Sequence, residues 1–135
     1  MTRAKGERGS AAVELVVLAP VFMMLLAFVV LVGRVQASRA DVEGVAHSAA
    51  RSITLSRTPE AAAGEAQAAA EASLRVGSAT CRSMGWDVAL SDEEVTVTIS
   101  CTIDLAAASI LPVPATQTVS ASSTEVIDRF REGGA

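Results

Sequence analysis

Glu14 stands where a basic opening meets a long apolar stretch, and it is the residue whose position most needs a chemical reason. A carboxylate at the edge of hydrocarbon is costly unless it reaches water or finds a cation. If the chain is cut after Gly9, Ser10 becomes a new N-terminus. Its amine then lies one helical turn from Glu14, on the same side. In a packed assembly the amine of one helix can neutralise the Glu14 of a neighbour. The simpler alternative is an interfacial acid that reaches back to the membrane surface.

The other reactive side chains are sparse. Cys81 and Cys101 are the only cysteines and His47 is the only histidine. Outside the cytoplasm a Cys81–Cys101 disulfide is the default expectation, and two free buried thiols are the alternative. A catalytic thiol is not supported, because His47 belongs to a different element and no orienting group accompanies it. His47 itself reads as a solvated or rim residue. Asp92-Glu93-Glu94 reads as a charged hairpin tip, since a Ca²⁺ site needs six or more oxygen ligands in defined geometry. The residues therefore imply no catalytic set, no metal, no cofactor and no small-molecule substrate. The net charge of −4 gives no electrostatic case for nucleic acid. The expectation is a protein that is not an enzyme.

The element that must position Glu14 is a membrane helix. Residues 15–32 are all apolar apart from Pro20. At 1.5 Å per residue this run spans ~27 Å, and counting back to Ala11 gives ~33 Å, which brackets a hydrocarbon core of roughly 30 Å. Backbone groups in lipid must be satisfied internally, so the run should be helical, with Pro20 tolerated or kinking it. Arg3, Lys5 and Arg8 lie in the opening segment, ahead of Gly9, against Glu7. Residues 34–135 carry eight basic against thirteen acidic side chains. This bias predicts a single-pass protein with a cytoplasmic N-terminus and an extracytoplasmic C-terminal region. A secretory signal is the competing reading, with Val35 and Ala37 as the small residues before a cut at Ser38.

Beyond the span, Val35, Val42, Val45, Ala46, Ala49 and Ile53 fall on one helical face, while Arg39, Glu43, His47 and Arg51 fall elsewhere. Gly44 allows a bend. Thr58-Pro59-Glu60 predicts a helix start in which Thr58 caps, and Val76-Gly77-Ser78 predicts its end. Between them alanine dominates, which favours helix strongly. Residues 95–105 then alternate apolar and polar without a break, as in a half-buried strand. Trp86, Val88 and Leu90 alternate as well, and Ser91-Asp92-Glu93-Glu94 suits a four-residue hairpin loop. Pairing Leu90 with Val95 sets Met84 opposite Cys101. Cys81 must then reach Cys101 through a bulge, expected at Gly85, or from outside the hairpin. Pro112 and Pro114 break the chain before a third strand over residues 116–127, and residues 129–135 read as a frayed tail.

These features predict an α+β fold: a long N-terminal transmembrane helix, a second Ala-rich helix and a small antiparallel sheet of about three strands. By residue, the division is a basic leader (1–9), a transmembrane helix (10–33), its extension (34–57), the Ala-rich helix (58–77), an extracytoplasmic sheet region (78–128) and the tail (129–135).

Arg8-Gly9 followed by Ser10 and then Glu14 resembles the class III signal of type IV pilins and pseudopilins. The wider stretch over residues 8–20 is similar to the opening of TadE-like proteins, minor pseudopilins of the tight-adherence (Flp) pilus system. The resemblance is specific over residues 8–33 and loose over 35–50. It implies cleavage between Gly9 and Ser10 by a prepilin peptidase. It also implies partnership with other pilins or pseudopilins and the pilus assembly machinery, and pilus association after processing. Tyrosine is absent and the first mature residue is not Phe. Both departures favour a minor subunit over a major one. The alternative from a different class is a small signal-anchored or secreted binding module unrelated to pili.

Overall fold

A computed structural model describes residues 7–77, 81–106 and 114–128. Residues 1–6 of the expected leader, Ser78, Pro112 and the expected tail over 129–135 lie outside the described residues. Two helices, α1 (Glu7–Leu55) and α2 (Pro59–Val76), precede three strands, β1 (Cys81–Leu90), β2 (Glu94–Asp104) and β3 (Thr116–Val126). The strands form one antiparallel sheet in the order β1-β2-β3. The architecture is the predicted α+β class.

α1 is helical without interruption through Pro20 and Gly44. Its upper part supplies a face of Val42, Ala46, Ala49, Ala50 and Ile53, each buried. This is the face predicted from spacing, extended by Ala50 and by Ser38. Ser38 is buried because its hydroxyl donates to the Arg34 carbonyl at 2.8 Å, one turn back in the helix. α2 contributes Ala66, Ala70 and Leu74 at helical spacing. The small alanines bury little area each, so α2 must lie close to its neighbour to gain from them. Thr58 stands at the N-cap, but its side chain makes no capping bond. The Ser56 hydroxyl instead accepts from the Thr58 amide at 3.2 Å, and the Thr58 carbonyl accepts from Ala62 at 3.0 Å.

In β2 every inward residue, Val95, Val97, Ile99, Cys101 and Ile103, is buried. The opposite face carries hydroxyls that pair across to β3: Thr96 with Thr124 at 2.8 Å, Thr98 with Ser122 at 3.1 Å, and Thr102 with Thr118 at 3.2 Å. Such cross-strand pairs each contribute roughly 0.2–1 kcal/mol. The hairpin turn is closed by Ser91, whose amide donates to the Glu94 carbonyl and whose hydroxyl accepts from the Glu94 amide, both at 3.0 Å. Leu90 pairs with Val95 and Met84 with Cys101.

The structure joins Cys81 and Cys101 by a disulfide, with their Cα atoms 5.5 Å apart. The irregularity that permits this lies between Cys81 and Ser83, with Arg82 as the extra residue, and not at Gly85. Gly85 pairs regularly with Ser100, and a side chain at Gly85 would collide with the Ser100 hydroxyl. Gly85 thus sits within the regular ladder, and the Ser100 hydroxyl would have to turn aside for any side chain there.

Three contacts set the direction of the sheet along α1. The end of α2 lies against α1, since a Cβ on Gly77 would stand 3.1 Å from the Asp41 carboxylate. β1 begins four residues later, no more than ~14 Å away. Higher up, His47 of α1 meets Ser123 and Glu125 of β3. β3 therefore climbs in the same direction as α1. From Ser123 back to Thr116 is about 23 Å of strand, equivalent to about 15 residues of helix below His47, close to Val32. Leu31, only 7% exposed, accordingly joins the same core as Ile103 and Leu105.

Ile53 is fully buried where α1 meets the rest of the core. Ile53→Ala should cost about 2–5 kcal/mol. Chemical denaturation of the detergent-solubilised chain, followed by the fluorescence of the single Trp86, measures this; a loss near zero would place the core elsewhere. Replacing both cysteines by serine should cost about 3 kcal/mol by loop entropy, and the native chain should resist alkylation until reduced. Rapid alkylation without reductant would show that the thiols are free.

Candidate functional site

The lower half of α1 carries the residues on which the sequence reading rests. Gly9, Ser10 and Glu14 lie within one continuous helix and are exposed. The amide of Ser10 and the side chain of Glu14 are separated by one turn. Glu14 takes part in neither of the two ion pairs formed among the described residues. Around it the helix is apolar on all sides and uncovered: from Gly9 to Val32 only Leu31 is buried. This helix is long and apolar enough to cross a membrane. A helix that is apolar all round suits a membrane or a packed assembly, because water has no favourable contact to offer any of its faces.

Gly9 has no packing reason within the chain. A side chain there would meet no atom within 4 Å, so a larger residue would fit. Glycine in a helix costs about 1 kcal/mol relative to alanine.

The sequence reading missed one cluster. His47 Nδ1 lies 3.0 Å from Glu125 Oε1 and 3.4 Å from Ser123 Oγ. Ser, His and Glu together invite comparison with a hydrolytic triad. The geometry denies it, because acid and hydroxyl share one ring nitrogen, whereas acyl transfer needs them on opposite nitrogens. The His47 side chain is also 59% exposed. The cluster ties the rim of α1 to β3, and the net gain from such an open pair is at most about 1 kcal/mol. His47 thus keeps its predicted rim position and gains partners that helix spacing could not reveal. β3 had first to be placed beside it.

Elsewhere the chemistry is thin. The groove between α1 and α2 is lined by alanines, serines, Gly44 and Val45, with Asp41 its one ionisable side chain. Among the described residues, no group of three His, Cys, Asp or Glu side chains is placed to hold a metal. Cys101 is buried and bonded, so it has no thiolate to offer.

Comparison with known proteins adds one match. The family described as TadE-like protein matches residues 9–51. The match opens at Gly9, takes in Ser10 and Glu14, and ends within α1, before α2 and the sheet begin. No curated protein and no solved structure matches the chain. The family is non-enzymatic in general and is associated with pilus assembly machinery. Over residues 9–51 the long helix of this chain is thus similar to the TadE-like family.

Proposed function

We propose that the chain is a minor pseudopilin, a non-enzymatic component of Flp/type IV-like pilus assembly or of tight-adherence secretion. The observation that carries this reading is Glu14: a single carboxylate on an uncovered apolar helix, one turn from Ser10 and in no ion pair among the described residues. In this reading residues 1–9 are a cytoplasmic leader and residues 10–33 cross the membrane. A prepilin peptidase removes the leader after Gly9. The new amine of Ser10 then offers a cation to the Glu14 of an adjacent subunit, and two costly groups at the edge of hydrocarbon become one paired one. The demand for glycine comes from the peptidase, in keeping with its open surroundings. The apolar span serves first as an anchor and then as a packing surface. The region beyond residue 33 lies outside the cytoplasm, where a Cys81–Cys101 bond persists.

A cut at Ala37 suits this fold less well. It would remove Leu31 and Val35 from the core and leave Ser38, now buried, as a terminus.

The mass of the N-terminal peptide from the native host tests the reading. The expected mature chain begins at Ser10. A start at Ser38 would identify a secreted module, and an intact leader in cells with an active peptidase would leave a plain tethered domain. Glu14→Ala should insert and be processed normally, yet enter pili or the assembly complex at least about tenfold less, the loss expected for one desolvated charge pair. Unchanged piliation would remove the amine–carboxylate pairing.

A further inference from the structure

Leu31 belongs to two structures at once. It lies in the last turn of the apolar run, yet it is packed into the core of the outer domain. The core therefore reaches down to the level at which α1 leaves the membrane. The direction of β3 gives the same result independently, since the Thr116 end of the sheet falls near the level of Val32. With α1 read as a membrane span, the domain sits against the bilayer and not above it on a stalk.

The charges are sorted along that axis. The lowest zone of the outer domain contains Arg34 and Arg39 on α1, and Arg82 at the bulge of β1. Its carboxylate on the sheet is Asp104, which Arg82 Nη1 contacts at 3.0 Å, and Asp41 and Glu43 follow Arg39 on α1 within about one turn. The remaining described residues above that zone carry three arginines against eleven carboxylates. Arg34 and Arg39 are exposed and take part in neither ion pair of the described residues. The Arg82 side chain is 67% exposed despite its partner. Cations thus collect at the one end of an acidic domain that faces lipid. All three are arginine, whose planar fork matches phosphate oxygens in pairs.

We propose that this lower rim, Arg34, Arg39 and Arg82, docks onto the phosphates of anionic lipid at the surface from which α1 emerges. Docking fixes the tilt and rotation of the outer domain on the membrane. It leaves the acidic upper end, with Asp92, Glu93 and Glu94 at the hairpin tip, facing away from the anionic surface. The proposal rests on the reading of α1 as a membrane span, but it does not depend on leader cleavage or on pilus assembly.

The test is hydrogen exchange on the full-length chain in lipid nanodiscs, one set of phosphatidylcholine alone and one containing phosphatidylglycerol. Amides of residues 100–104 and 116–120, at the lower end of the sheet, should be at least about fivefold better protected in the anionic discs, the factor that one arginine near such a surface supplies. The gain should vanish at high salt. It should also vanish in the Arg34→Gln, Arg39→Gln, Arg82→Gln variant, while residues 46–53 keep their protection and show the fold intact. Arg51→Gln with Arg57→Gln, on the upper half, should leave the gain unchanged. Equal protection in the two discs, or a gain that survives the triple substitution, would overturn the docking with the span intact. So would loss of the gain in the upper-half variant. A chain that fails to remain with the discs at all would overturn the membrane reading and the docking together.

Discussion

Between Leu31 and Val42, α1 changes the medium it has to suit, and the rest of the fold follows from that change. Below, the helix is apolar on every side and its side chains are uncovered. Above, only one face is apolar, and that face is buried against α2 and the sheet. The helix is continuous through both regimes, so α2 and the sheet cannot choose where they sit. They must cover the stripe that starts at Leu31. Every other element serves that requirement: β2 and β3 present Val97, Ile99, Ile103 and Val119 to it, and α2 closes the far side with Ala66, Ala70 and Leu74.

The alanines of α2 and the hydroxyls of the sheet are two answers to the same shortage of apolar bulk. With four aromatic residues in the whole chain, the core cannot be filled by large rings. Small side chains on α1 and α2 let the two backbones come close, and dispersion across the short gap replaces buried volume. On the far face of the sheet, threonine and serine satisfy one another across the strands. The disulfide adds a covalent tie where the bulge at Arg82 interrupts the β1–β2 ladder.

What the sequence made legible was what repeats. The alternation over residues 95–105 reads directly as β2 because each odd residue enters one core and each even residue faces away from it. The stripe from Val35 to Ile53 reads as a helix face for the same reason. What stayed hidden depended on where two elements meet. The partners of His47 required β3 to be placed against α1. The burial of Leu31 required the lower end of the sheet to be placed beside the span. The bulge falls at Arg82 and not at Gly85, which pairs with Ser100, a register that spacing alone does not express. Thr58 stands at the cap position, but its side chain makes no capping bond, which residue type alone does not reveal. The candidate site was legible as a pattern of residues, Gly9, Ser10 and Glu14. Its physical feature, a carboxylate on a bare helix, needed the fold to show that nothing else in the described chain covers it.

The shared direction of α1 and β3 has a mechanical consequence. Traction on the C-terminal end of β3, against a helix held at its N-terminal end, would pull two side-by-side elements from opposite ends. The seam between them would be loaded in shear, so its contacts would have to slip together and could not peel away one at a time. A tug at that end of β3 would therefore reach the N-terminal end of the helix before it opened the domain.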